Sequence, residues 1–213
     1  RRGIRLAALL THPQSPKHLR LYEAFGFELG STVAVMAKEV AAPGAAAAEV
    51  ERLSALGATA REEALSGCRA LTSSLYDGLD LGREIAALAA QRLGDVILLG
   101  SGRGAQEPGT VAGFAVCQHG AGTEAGSGTL FVKFAAVRRD AEKDFAALLE
   151  RCERFAAALG TRRIVAGVNT GRRRAYRLMR GCGYRTFLTG VAMHRPDDPG
   201  YDRPEIFVVD DLR

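Results

Sequence analysis

The chain has 213 residues, 47% hydrophobic and 25% charged, with a formal charge of +5. That suits one large globular domain, or a domain plus a fragment, and no apolar run is long enough to span a membrane. The basic excess comes without a finger, RNP or basic-heptad pattern, so nucleic acid is not the expected partner.

Cys68, Cys117, Cys152 and Cys182 are widely spaced with no CxxC pair, which reads as buried free thiols of a reducing cytoplasm. His12, His18, His119 and His194 lack metal-ligand spacing, so no metal site is assigned. No signal peptide is visible. The start at Arg1-Arg2, without methionine, reads as a missing upstream part.

Ile4 to Leu10 is apolar and predicts a strand. His12 to Pro16 is a turn-rich loop in which Ser15 caps a helix with Pro16 at its first position. That helix, Lys17 to Phe25, is expected to turn Leu19, Tyr22 and Phe25 inward, and Gly26-Phe27 closes it. Thr32 to Ala37 is the next strand. Ala41 to Ala48 is low in complexity and reads as a linker into a helix at Glu49 to Leu56.

Glu62 to Ser73 reads as helical. Asp80 is placed as the N-cap of Leu81 to Leu93, with Ile85, Leu88 and Leu93 as the buried stripe. Val96 to Leu99 is a core strand, Gly100 to Gly109 a turn and Val111 to Cys117 a hairpin partner. Neither Gly-rich loop, Gly100 to Gly109 or Gly120 to Gly128, fits GxGxxG before a helix, which argues against a dinucleotide fingerprint.

Thr129 to Val137 (TLFVKFAAV) is a β-branched and aromatic run that predicts a buried strand. Asp144 to Leu159 switches to helical spacing, with Phe145, Leu148, Leu149, Cys152, Phe155, Ala156 and Leu159 on one face. Gly160 stops it, and Ile164 to Val168 is a second buried strand. Asn169 opens a helix through Tyr176 and Met179 that ends at Gly183-Tyr184. Strand, helix and strand in this order predict a right-handed βαβ unit with parallel strands, and ligands then bind near Val137 and Asn169. After Met193, Arg195 to Pro204 reads as a surface excursion and Glu205 to Asp210 as a last strand.

Two stretches match one another. Each runs from a strand through a polar loop into a Tyr-bearing helix, a Gly-aromatic stop (Gly26-Phe27; Gly183-Tyr184) and a strand ending in Met36 or Met193. Aligned on the glycines the methionines coincide, which reads as an internal repeat.

The element order from about Cys68 to Asp210 resembles the GNAT superfamily of acyl-CoA-dependent N-acetyltransferases. The stretch from Ser15-Pro16-Lys17-His18 to Leu21-Tyr22-Glu23-Ala24-Phe25-Gly26-Phe27 is similar to the closing half of such a domain, usually written LYxxxGF. The resemblance implies an α/β fold, a mixed central sheet flanked by helices and preceded by a partial strand–helix–strand unit. Residues 1–40 would be that unit, 41–66 a linker with a helix, and 67–213 the GNAT-like domain. The whole would be a tandem protein lacking most of its first copy.

By the same resemblance the protein transfers an acetyl group from acetyl-CoA, as co-substrate, to a small-molecule or peptide primary amine by direct attack. The pantetheine arm would lie along Phe134, Ala135 and Val137. Its pyrophosphate would sit on the turn carrying Arg138, Arg139 and Lys143, with Asn169 bonding the pantetheine amides. Tyr176 would protonate the leaving thiolate and Glu124 would act as base. The turn lacks the family's glycines, Met179 stands at the usual tyrosine position and Lys133 at the usual glutamate position. These departures motivate the alternative of a non-catalytic GNAT-like module that binds acyl-CoA or a protein partner. The resemblance leaves the oligomeric state open, a homo-oligomer included.

Overall fold

The structure is a computed structural model that describes residues 6–41, 50–100, 111–196 and 198–210. The linker at 42–48 and the turn at 101–109 lie outside the described residues. The elements are β1 (Ala7–Thr11), α1 (Pro16–Ala24), β2 (Glu28–Glu39), α2 (Ala58–Leu75), α3 (Gly82–Gln91), β3 (Gly94–Leu99) and β4 (Gly113–Gly120), then β5 (Gly126–Val137), α4 (Glu142–Ala158), β6 (Arg163–Asn169), α5 (Arg173–Gly181), β7 (Arg185–Arg195) and β8 (Val208–Asp210).

The strands form one mixed sheet in the order β1-β7-β2-β6-β5-β4-β3, with β8 paired to β5 off that path. The expected βαβ unit is present: β5 and β6 are parallel, Thr129 to Val132 lying opposite Arg163 to Ala166. The apolar stripe of α4 buries Phe145, Leu148, Leu149 and Cys152 against one face of the sheet, together with Ala175 and Met179 of α5. Helices α2 and α3 cover the other face through Cys68, Leu71, Ile85 and Leu88. Gly160 ends α4 with φ +68°, a conformation that costs a side chain, as its sequence position predicts.

The N-terminal repeat is woven into this sheet, since β2 lies between β6 and β7 and β1 lies outside β7. The pairing obeys a pseudo-twofold axis. Leu9 faces Met193 and Thr11 faces Val191, while Met36 faces Ala166 and Ala34 faces Val168. Shifting every number by the spacing between Gly26 and Gly183 converts the first set into the second. The axis passes through Val33 and Gly190, partners in the β2–β7 ladder. Both helix ends close alike: Phe27 N–H donates to the Tyr22 carbonyl and Tyr184 N–H to the Met179 carbonyl, each at 3.1 Å.

Four expectations need correction. The helix placed at Glu49 to Leu56 is a 3-10 turn at Leu53–Ala55, because Arg52 and Glu51 bond to β3. Asp80 stands one residue outside the cap of α3, although its carboxylate accepts from Gly82 N–H at 2.8 Å. The helix expected at Asn169 begins at Arg173. Asn169 ends β6 and folds its amide oxygen onto Gly171 N–H at 2.8 Å. The inward face assigned to α1 is only partly met: Leu19 and Tyr22 are half-buried, no residue of the helix is fully buried, and Phe25, just past its end, is 61% exposed.

Candidate functional site

The parallel ladder of β5 and β6 stops at Val132 and Ala166, although β5 continues to Val137 and β6 to Asn169. The two strands therefore part at their carboxyl ends, where the resemblance puts the pantetheine arm. A β-bulge sits at the parting: Phe134 faces Val116 and Val132 faces Cys117, leaving Lys133 as the extra residue.

The gap is filled by the chain itself. β8 runs antiparallel to β5, with Asp210 opposite Phe134, Val209 opposite Ala135 and Val208 opposite Ala136. Val137 N–H donates to the Phe207 carbonyl at 3.3 Å. The backbone of Phe134, Ala135 and Val137 that the resemblance assigns to a cofactor is thus engaged by β8. Phe207, Val208 and Val209 are fully buried, and the Phe207 ring packs 5.5 Å from that of Phe145.

A buried ionic cluster locks β8 in place. Arg172, 1% exposed, donates from Nη1 and Nη2 to both carboxylate oxygens of Asp210 at 2.8 and 2.9 Å. It also donates from Nε to Asp202 at 2.9 Å and from Nη1 to the Val208 carbonyl at 2.8 Å. Tyr201 lies under the guanidinium and its hydroxyl donates to Asp210 at 2.8 Å. Asp202 further accepts from Asn169 Nδ2 at 2.8 Å and lies 3.2 Å from His194 Nε2.

A guanidinium this buried survives because two carboxylates and a carbonyl satisfy it. Burial alone would make Arg172 easier to deprotonate, but Asp210 and Asp202 outweigh it and its pKa is raised. Burial likewise disfavours the Asp202 carboxylate, yet Arg172 and the His194 hydrogen bond hold it below the usual carboxylate range. Burial, then Asp210, push the Tyr201 phenol well up.

The turn expected to seat a pyrophosphate is equally committed. Asp140 adopts φ +56°, and its N–H donates to the Glu205 carbonyl at 3.4 Å. α4 opens with Glu142 and Asp144 in its first turn, where the helix dipole already favours negative charge. Arg174 bridges Asp140 and Glu142 across the mouth, and its guanidinium lies over the Phe207 ring. Two carboxylates and their own cation thus stand where an anion would bind. Arg138 is exposed, its N–H bonded to the Ala112 carbonyl. Arg139 donates to the Leu75 carbonyl at 3.0 Å, and Lys143 is exposed. The residues present do not fit a bound acyl-CoA at this slot.

The expected acid and base are not brought together. Tyr176 is half-buried near the start of α5, at the carboxyl end of the strands, with Arg180 over its ring. Glu124 lies in the β4–β5 turn at the opposite end of β5, paired with Lys133 at 2.7 Å. Met179 is fully buried. Asn169 is spent on Asp202 and Gly171.

Arg172, the central residue of the buried ionic cluster, has no role in the expectations drawn from the sequence. A signal was present: an acidic residue closing an apolar strand, Asp210 after Phe207-Val208-Val209, needs a buried cation. The excursion expected at Arg195 to Pro204 likewise folds back, placing Tyr201 and Asp202 in the cluster.

Among the described residues no helix is long and apolar enough to cross a membrane, and no group of histidine, cysteine or acidic residues could hold a metal. The described cysteines are free; burial pushes Cys68 up to about 12, and the Cys117 and Cys152 sulfurs lie 4.0 Å apart.

No protein-family model and no curated protein matches the chain. Solved structures do. A GCN5-related N-acetyltransferase of Sphaerobacter thermophilus superposes with a TM-score of 0.55 at 20% identity, over 92% of this chain and 61% of that one. A Pyrococcus horikoshii protein assigned as an acetyltransferase gives 0.57 at 13% identity, over 97% and 59%. A Novosphingobium aromaticivorans protein assigned to the GNAT family gives 0.51 at 14% identity, over 89% and 73%. The chain spans about three fifths of the length of the first two. Its mixed sheet, parting strands and flanking helices are those of the GCN5-related N-acetyltransferase fold.

Proposed function

We propose that the 67–213 portion is a closed GNAT-fold module, one that holds no acyl-CoA in its β5–β6 gap and supports an N-acyltransferase structurally. The observation that carries this reading is the β8 ladder on Phe134 to Ala136, which takes the backbone a pantetheine arm needs. The carboxylates of Asp140 and Glu142 at the start of α4 support it independently. Acetyl transfer from acetyl-CoA to a small-molecule or peptide amine would then fall to a gap completed around the N-terminal repeat rather than to the β5–β6 gap, and a cytoplasmic location accords with the free cysteines.

A second reading keeps the enzyme in this slot. It is favoured by the shortness of β8, three residues, and by the half-buried Tyr176 at the same end of the sheet. There β8 would withdraw to admit acetyl-CoA, and Tyr176 would protonate the thiolate.

Calorimetry with acetyl-CoA separates the two. The closed module gives no saturable heat, and thiol release with a panel of primary amines stays at background in wild type and Tyr176→Phe alike. Saturable 1:1 binding, with turnover that falls in Tyr176→Phe, would establish the second reading instead.

A further inference from the structure

The pseudo-twofold axis leaves one side of the molecule unfinished. The edge of β6 that is turned away from β2 pairs through Arg163 to Ala166 with β5, in parallel. The residues of the N-terminal repeat that correspond to Arg163–Ala166 are Leu6–Leu9, on the outer edge of β1. Among the described residues β1 pairs only with β7. The helix on that side is only partly covered as well, with Leu19 and Tyr22 half-buried. α5 packs Ala175 and Met179 into the α4 core, whereas α1 buries no residue fully and exposes Leu21 at 47% and Phe25 at 61%. An unpaired strand edge beside an exposed apolar helix is an unstable surface unless something covers it.

We propose that this surface docks a parallel strand and its following helix, built as β5 and α4 are built, from another GNAT-fold half. The strand would pair with Leu6–Leu9 and the helix would cover Leu21 and Phe25, continuing the sheet past β1 by the register the axis dictates.

The completed gap would differ from the closed one. The chain after β7 returns as β8 to fill the β5–β6 gap, whereas Glu51 and Arg52, which correspond to Val208 and Val209, lie elsewhere. They lie along β3 instead, with Leu98 N–H donating to the Glu51 carbonyl at 3.0 Å. Among the described residues nothing pairs with the edge of β1 beyond Leu9, and a pocket of about 190 Å³ lies beside it under α1, between Leu10, His12, His18 and Tyr22 on one side and Val35 and Leu188 on the other. Tyr22 stands where the closed copy has Met179. The inference rests on the repeat register and not on whether the β5–β6 gap binds acyl-CoA, so the two fail separately.

The test places residues 50–162 directly before Leu6, which reproduces at β1 the connection that leads into β6. Amide exchange at Leu6–Leu9 is expected to slow on the order of 100-fold relative to the 213-residue chain. A Leu21→Asp/Phe25→Asp pair in the fusion should reverse most of that protection. As a second measurement, a labelled peptide of residues 126–158 should bind the 213-residue chain and lose at least tenfold in affinity to the Leu21→Asp/Phe25→Asp variant. Unchanged exchange at Leu6–Leu9 in a folded fusion would overturn the proposal. So would a dimer of the unextended chain that protects the same amides, because a second copy would then be the occupant.

Discussion

The two repeats start from the same plan and end in opposite states. β6 and α5 lie in the middle of the molecule, with the inner face of the helix buried, their gap filled by β8 and an arginine sealed beneath it. β1 and α1 lie at the edge, with an apolar helix face in water and a pocket between strand and helix. The backbone pairing is the same to the residue, so the difference comes from what is laid on top. A GNAT-fold unit is recognisable from its strands, but whether its gap can accept a cofactor is decided by a tail that the strand pattern does not mention.

The largest expected effect breaks the closed copy at its lock. Arg172→Met removes the cation from between Asp202 and Asp210 and leaves two buried carboxylates facing each other. A loss of about 3–5 kcal/mol is expected by chemical denaturation. Double replacement Arg172→Met/Asp210→Leu should recover much of it, which a merely steric role for Arg172 would not produce.

Phe207→Ala empties a fully buried position between β8 and α4 and should cost about 3–5 kcal/mol. Phe25→Ala, the same truncation on the exposed α1, should stay within about 0.5 kcal/mol. Exchanging the matched residues sharpens the contrast. Met179→Tyr forces a hydroxyl into a sealed core at a cost of about 1–3 kcal/mol, whereas Tyr22→Met should be nearly neutral.

The pH dependence is smaller and has a defined sign. Asp202 is held below its unfolded pKa, so its contribution is complete above about pH 4 and fades as the pH falls through the depressed folded value. An acid titration of Tm should therefore be steeper below pH 4 for wild type than for Asp202→Asn, which has no such carboxylate to protonate.

Much of this architecture was legible in the sequence. The β-branched run at Thr129 to Val137, the apolar stripe of α4 and the glycine at 160 specify their elements locally, and the parallel pairing follows from connectivity. The repeat was legible too, through Gly26, Gly183, Met36 and Met193. What stayed hidden is long-range. The run from Glu205 to Asp210 reads as a strand, but nothing in an apolar hexamer says which edge it joins. Arg172 reads as one of three surface arginines until Asp202 and Asp210 are brought to it from 30 and 38 residues away. The inward face assigned to α1 is met only by half, with Leu19 and Tyr22 half-buried and Phe25 exposed, for a related reason: amphipathic spacing marks a face that wants burial, not the neighbour that supplies it.

The central claim is that β8 occupies the gap between β5 and β6 as a permanent part of the core. Amide exchange at Val208 to Asp210 and at Ala135 to Val137, followed with and without saturating acetyl-CoA, tests it most directly. Exchange as slow as in β4, and unmoved by acetyl-CoA, is the predicted result. Rapid exchange at Val208 to Asp210, or a change at Ala135 to Val137 when acetyl-CoA is added, would contradict it.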